Sequence, residues 1–296
     1  MHVVVAGSQG FIGSALVPYL RSEGHEVRVL VRRAPRSPDE VGWDPDAHRL
    51  DPEALRSADA VVNLAGVNAG SRPLTAARKR EVLSSRLRTT DLLATTLAGL
   101  DDRPRALLQA SGIGAYGDRG DVELDEGEPL GTTFFADVVR QWEAATAPAE
   151  DGGVRVVHLR TGVVLGPHGG ALGRLLPLLR LGLGGRLGSG RQFWPWITLT
   201  DEVRAIGHLL QVPVHGPVNL VAHADRNADV IAALAHAMHR PAVVAVPAFA
   251  LRTLLGDFSS EVLGSIRAVP AALDASGFRP AHPDLASASE WLVTAG

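Results

Sequence analysis

The sequence predicts an α/β protein, a doubly wound parallel sheet with a smaller, mainly helical region toward the C-terminus. Three observations carry this expectation. Short β-branched runs alternate with longer helical patterns through roughly the first half of the 296 residues, the signature of βαβ units. Each run is apolar almost throughout, as strands covered on both faces must be. A glycine triplet follows the first run directly and opens the first helical pattern.

Taken in order, strands are expected at residues 3–6, 26–31, 60–63, 105–110 and 154–159, with a short extra one at Val41-Gly42-Trp43. Helices at 11–23, 75–100 and 133–149 fall between them. After Gly162 the texture changes, because glycine and proline become dense from 166 to 190 and strand signals become sparse. That stretch reads as a region added at the carboxyl ends of the strands. Residues 200–211 then return as a core helix and 216–220 as a further strand. From 227 onward helices dominate, with Ile231, Leu234 and Ala235 at helical spacing.

Composition narrows the classes of function. With 46% apolar and 21% charged residues the chain can bury an ample core. It has no Cys, which removes disulfides, thiolate nucleophiles and cysteine-ligated metal sites. A net charge of −3 with interspersed signs gives no field for a nucleic-acid backbone or an anionic membrane. The longest uncharged apolar stretch, 242–251, is interrupted by Pro247 and far shorter than the roughly 20 residues of a membrane span. The opening His2-Val3-Val4-Val5-Ala6-Gly7 reads as a strand rather than a signal peptide, so a soluble, cytoplasmic monomer or homodimer is expected. Lys79 is the single lysine, and Tyr19 and Tyr116 are the two tyrosines. Any chemistry that needs either residue type has little to draw on.

Gly7-Ser8-Gln9-Gly10-Phe11-Ile12-Gly13 lies between a strand and a helix. In that context one glycine makes the tight turn, the next lets backbone approach a pyrophosphate, and the third lets helix pack on strand. The helix start then presents N–H groups and a positive dipole end to the phosphates. A dinucleotide site is therefore expected at Gly7, Gly10, Phe11, Ile12 and Gly13, and the fold is a Rossmann domain. The second strand chooses the dinucleotide. It ends in Arg32-Arg33 with no carboxylate before Asp39, where an NAD site places an acid for the ribose hydroxyls. Two guanidinium groups suit a 2′-phosphate, so the expected cofactor is NADP(H). The strand end Asn63-Leu64-Ala65-Gly66 offers small residues beside the ribose and nicotinamide. Arg86, in the basic helix that follows, is the charge expected to turn inward to phosphate or ribose.

These segments resemble the extended short-chain dehydrogenase/reductases, the superfamily of nucleotide-sugar epimerases and dehydratases. Trp43-Asp44-Pro45, Gly112-Ile113-Gly114-Ala115-Tyr116-Gly117-Asp118, Trp142-Glu143-Ala144-Ala145, Arg160-Thr161-Gly162-Val163-Val164-Leu165-Gly166-Pro167 and Gly188-Ser189-Gly190-Arg191-Gln192 are similar to an atypical branch of NADP-dependent epimerase or oxidoreductase proteins with their own C-terminal domain. The resemblance implies NADP(H) binding and a two-part architecture. The organisation expected is a dinucleotide-binding domain over 1–165 to which 195–222 returns, a substrate-side region over 166–194 and 223–296, and a family-specific C-terminal domain over 247–296.

The superfamily's acid/base chemistry rests on a Ser or Thr and a YxxxK pair. Registered on Glu143, the helix places Phe135 where the tyrosine stands and Val139 where the lysine stands; Gly112 takes the hydroxyl position, with Ser111 one residue early. Tyr116 and Ser111 are the available stand-ins. Asp137 and Glu143 face different ways on the helix and read as surface or anchoring charges, and Tyr19 as core. His236 and His239 lack a third ligand, so no metal is expected. For substrate contact the aromatic segment around Arg191, Gln192 and Trp194 is the candidate, with Trp194 and Trp196 as a domain seal the competing reading. The function expected is an NADP(H)-binding epimerase or oxidoreductase of an unidentified small substrate, with a non-catalytic NADP(H)-binding regulator as the alternative.

Overall fold

The computed structural model describes residues 1–295. The chain runs through β1 (His2–Ala6), α1 (Phe11–Ser22), β2 (Glu26–Val31), β3 (Glu40–Asp44), β4 (Arg49–Leu50), α2 (Glu53–Arg56), β5 (Ala60–Asn63), α3 (Ala76–Ala98) and β6 (Ala106–Gly112). Next come β7 (Glu123–Leu124), α4 (Phe134–Ala144), α5 (Ala147–Asp151), β8 (Arg155–Thr161), β9 (Val163–Leu165), α6 (Leu176–Arg180), β10 (Phe193–Thr198), α7 (Leu199–Gln211) and β11 (Gly216–Leu220). The last part holds β12 (His223–Arg226), α8 (Asn227–Ala237), α9 (Ala248–Leu255), α10 (Ser259–Leu263), β13 (Arg267–Ala268), α11 (Ala271–Ala275) and α12 (Leu285–Thr294).

Eight strands form the central sheet in the order β11-β8-β6-β5-β1-β2-β3-β4. All neighbours are parallel except β4, which closes the edge antiparallel to β3. Strand alternation explains the double layer. Val3 and Val5 face one core with Val62, Leu108 and Leu159, against α1 and α7. Val4 and Ala6 face the other with Val61, Leu107 and Val156, against α2, α3 and α5. From β1 the sheet grows outward through β2 on one side and through β5 on the other. A crevice therefore opens at the carboxyl ends of β1 and β5, the topological switch point where such sheets bind ligands.

Beyond β8 the structure departs from a purely helical addition. β12, β10 and β9 make a separate three-stranded sheet that packs with α6, α8, α9 and α12 around Leu176, Trp194, Trp196, Leu234, Leu251 and Leu292. Its central strand was hidden in the sequence because Pro195 lacks the N–H that a ladder uses, and a proline argues against an interior strand. The stretch after 247 also reaches back to the rest of the fold. β13 pairs with β7, while Leu273 and Phe278 join the core beneath α7.

Candidate functional site

The glycine loop turns at Gly7, whose φ of +83° lies in the left-handed region. A Cβ there would also sit 2.6 Å from the backbone of Leu64, so β1's turn and the end of β5 touch directly. At Gly13 a Cβ would lie 2.2 Å from the Gly7 carbonyl oxygen. Only glycine allows α1 to begin this close to the strand. No side chain caps α1 and its first turn carries no acid, which leaves the helix start available to an anion. Ile12 packs into the sheet core. The ring of Phe11 is wrapped by Gly166, Gly169 and Gly170, so the loop after β9 folds over the helix start.

At the end of β2 the two arginines have separate tasks. Arg33 grips Glu40 through two hydrogen bonds of 2.7 and 2.6 Å and so ties the β2–β3 connection. The Arg33 hydrogen bond holds the Glu40 carboxyl down at about 2. Arg32 is more exposed and pairs with Asp46, which also accepts from Arg88 at 2.8 Å. Both arginines border an open cleft of about 660 Å³ with Pro35, Trp43 and Arg49. The expected double clamp is therefore uneven, with Arg33 committed to the turn and Arg32 the guanidinium a phosphate can recruit. Another cavity, of about 330 Å³, lies among His2, Arg21 and Asp39 at the opposite ends of the strands, away from the glycine loop.

Asn63 is fully buried. Its amide donates to Gln109 at 2.9 Å and its oxygen accepts from the Ala65 N–H at 3.1 Å, so it shapes the Leu64-Ala65-Gly66 turn. Arg86 turns inward, onto groups of the protein itself. It donates to the carbonyls of Val67 and Val82, covers Gly66 and stacks over Trp142 at 4.8 Å. Burial, with Arg78 nearby, draws its pKa down to about 10.

Ser111 and Tyr116 do not converge on the crevice as acid/base groups. Ser111 donates to Glu143 at 2.7 Å. Glu143 also receives two hydrogen bonds of 2.9 Å from Arg160, and Arg160 donates to the Tyr116 hydroxyl at 3.1 Å. That hydroxyl donates in turn to Asn219 at 2.9 Å. Tyr116 has no exposed surface, and burial pushes its hydroxyl up against the opposing pull of Arg160. For Glu143, burial raises the pKa, but the Arg160 contacts outweigh it and hold the carboxyl below its ordinary range. The reading of Tyr116 as a proton donor is thus corrected, because a sealed phenol bonded on both sides reaches no ligand. Glu143, expected at the surface or as an anchor, is half of a buried ion pair. Its partner Arg160 carried no expected role, lying one residue past the strand expected at 154–159 and opening a segment noted for its resemblance alone.

The lone lysine, Lys79, pairs with Asp257, and Tyr19 packs on α7 where a Cβ at Gly207 would lie 2.8 Å from its ring. Two of the three substrate candidates are also corrected. Gln192 is buried and donates to the carbonyls of Leu187 and Val262. Trp194 is buried and donates to the same Val262 carbonyl at 3.0 Å. Both seal the region, as the competing reading held for Trp194, while Arg191 is exposed. Among the described residues no group of three His, Asp or Glu side chains is placed to hold a metal, and no helix is long and apolar enough to cross a membrane.

Comparison with known proteins accords with this geometry. The family model of the NAD dependent epimerase/dehydratase family matches residues 3–222, and a domain of unknown function (DUF1731) matches 246–292. An epimerase family protein of Mycobacterium bovis is 43% identical over 295 residues, covering 99% of this chain and 97% of its own. The human epimerase family protein SDR39U1 is 38% identical, covering 99% and 100%. The crystal structure of human SDR39U1 (isoform2) with NADPH superimposes with a TM-score of 0.91 at 35% identity, covering 99% of each chain. A UDP-glucose 4-epimerase of Thermus thermophilus in complex with NAD shares the fold alone, with a TM-score of 0.74 at 20% identity over 99% and 98% of the two chains. With its switch-point crevice, its glycine loop and a match over most of its length, the chain belongs to the NAD dependent epimerase/dehydratase family.

Proposed function

We propose that this protein binds NADP(H) and acts as an epimerase- or oxidoreductase-type enzyme on a small substrate held between the nicotinamide and the region after β9. The observation that carries the reading is the uncapped, acid-free start of α1 behind Gly7, Gly10 and Gly13, with Arg32, paired with Asp46, at the neighbouring strand end and no carboxylate in the chain between Arg32 and Asp39. The NADPH in the human SDR39U1 crystal structure supports the same choice of cofactor. When bound, the cofactor supplies a hydride donor or acceptor. The chain's own residues cradle its phosphates through backbone N–H groups, recruit the 2′-phosphate through Arg32 and cover the far side of Gly66 with Arg86.

Fluorescence titration with NADPH and NADH tests the cofactor reading. NADPH is expected to bind at least about tenfold more tightly, since a charge-assisted phosphate contact contributes about 1.5–3 kcal/mol. Arg32→Ala removes most of that preference. Equal affinities in the wild type would refute the assignment. Phe135 and Val139 at the tyrosine and lysine positions favour a second reading, a non-catalytic NADP(H)-dependent regulator. Cofactor stereospecifically deuterated at C4, offered with sugars and aldehydes, separates the two. Label in a product supports the enzyme, and tight binding without transfer supports the regulator.

A further inference from the structure

Residues 256–266 cross from the C-terminal region over the carboxyl ends of β5 and β6. Asp257 pairs with Lys79 of α3. The ring of Phe258 meets Phe135 edge-on at 5.9 Å and crowds Gly70, where a Cβ would lie 3.1 Å away. A Cβ at Gly114 would lie 2.6 Å from Glu261 Oε2 and 3.2 Å from the Phe135 Cβ. The Glu261 carboxylate and the side chain standing in the tyrosine position therefore meet over the same glycine. Next to them Gly112, in the hydroxyl position, has nothing within 4 Å of where a Cβ would be.

The segment is also held firmly. Gln192 and Trp194 both donate to the carbonyl of Val262, the residue after Glu261. Phe193 and Ser265 are joined through the Phe193 N–H and the Ser265 hydroxyl at 3.0 Å. Glu261 itself has no hydrogen-bond partner among the described residues, although its surroundings bury most of it. A carboxyl left unbonded on a segment held this firmly is available to a ligand.

We propose that Glu261 is the acid/base group of this site, brought by the C-terminal domain to the corner where Phe135 supplies none. The proposal rests on NADP(H) being the cofactor. It implies an oxo or hydroxy compound as substrate. In reduction, the carbonyl carbon gains a hydride from the reduced cofactor and the oxygen gains the Glu261 proton, so a C–H and an O–H bond form. The products are an alcohol, the oxidised cofactor and the Glu261 carboxylate, which recovers its proton from water; oxidation runs the same steps backward. Burial holds the Glu261 pKa at about 7, where a carboxyl can both give and take a proton. Among the charged side chains on neighbouring segments, Lys79 pairs with Asp257, Asp118 accepts from the Ser265 N–H, Arg78 is bound to Asn68 and Glu81, and Arg140 is bound to Asp137. None of these contributes to the shift.

The test is proton exchange on cofactor binding, measured by calorimetry in buffers of different ionisation enthalpy. An oxidised nicotinamide carries a positive charge and lowers a facing carboxyl by at least about one pKa unit. The wild type is expected to release about 0.4 proton more per NADP⁺ bound than per NADPH at pH 7, the 2′-phosphate's own release being common to both. Glu261→Gln should bind both cofactors and release the same amount with each. Should that variant not fold, the wild type alone suffices. Its ratio of NADP⁺ to NADPH affinity should rise about tenfold between about pH 5 and pH 8, the 2′-phosphate titration cancelling between the two. Binding of both cofactors with no difference in proton release, with that difference unchanged in Glu261→Gln, or with a flat ratio overturns the role of Glu261 and leaves the cofactor reading standing. Failure to bind either cofactor overturns both.

Discussion

Glu202 has no exposed surface. Thr161 donates to one carboxylate oxygen at 2.8 Å, and the other oxygen has no partner. Burial raises its pKa from 4.5 to about 8. Between those values the folded protein holds a proton that the unfolded chain releases, so stability is fully present below about 4.5 and declines as pH rises through 8. Glu202→Gln should flatten this decline and raise the thermal midpoint above that of the wild type at pH 8. A midpoint equally pH-dependent in both would contradict a neutral Glu202. The backbone imposes the other residue-scale constraint. Gly13→Ala would place a methyl 2.2 Å from the Gly7 carbonyl oxygen, so the α1 start must move. NADPH affinity should fall at least about tenfold, the loss of one charge-assisted phosphate contact. Unchanged affinity would show that the cradle lies elsewhere.

Among elements, α4 and β8 are joined by the Glu143–Arg160 pair, whose side chains are 12% and 5% exposed. Removing one partner strands a buried charge, so Arg160→Met should cost about 3–5 kcal/mol in urea unfolding. The combined Glu143→Leu and Arg160→Met replacement should cost clearly less than the sum of the single changes. Additive losses would mean that the two do not act as a pair. The elements themselves were mostly legible. Expected strands at 26–31, 60–63 and 216–220 coincide with β2, β5 and β11, because strands covered on both faces give unbroken apolar runs. The expected helix over 133–149 is two, α4 and α5, with a break at Ala145 and Thr146. The small sheet was missed, since β9 is only three residues long and β10 contains Pro195.

For the whole molecule, the C-terminal chain is bound to the nucleotide-binding part at several separate places. Asp201, buried at the start of α7, accepts from the backbone N–H groups of Ala281 and His282 at 2.7 and 2.9 Å and from Arg204 at 2.6 Å. Asp201→Asn removes the charge from this knot. A destabilisation of about 1.5–3 kcal/mol is expected, with faster hydrogen exchange around 278–284. Exchange unchanged there would mean that other contacts carry the docking.

The candidate site divides along the same line. Its cofactor half was legible because a strand, a glycine turn and a helix start are consecutive in the chain, and their geometry follows from local sterics and the positions of three glycines. The absence of the tyrosine and lysine from α4 was legible for the same reason, being a matter of spacing on one helix. Tertiary structure alone decided what each side chain near the crevice faces. It buried Tyr116 beneath Arg160 and Asn219, turned Gln192 and Trp194 into clamps on Val262, and brought Glu261 over Gly114. These groups come from segments far apart in the chain, and no local periodicity records which of them will meet once the core has packed.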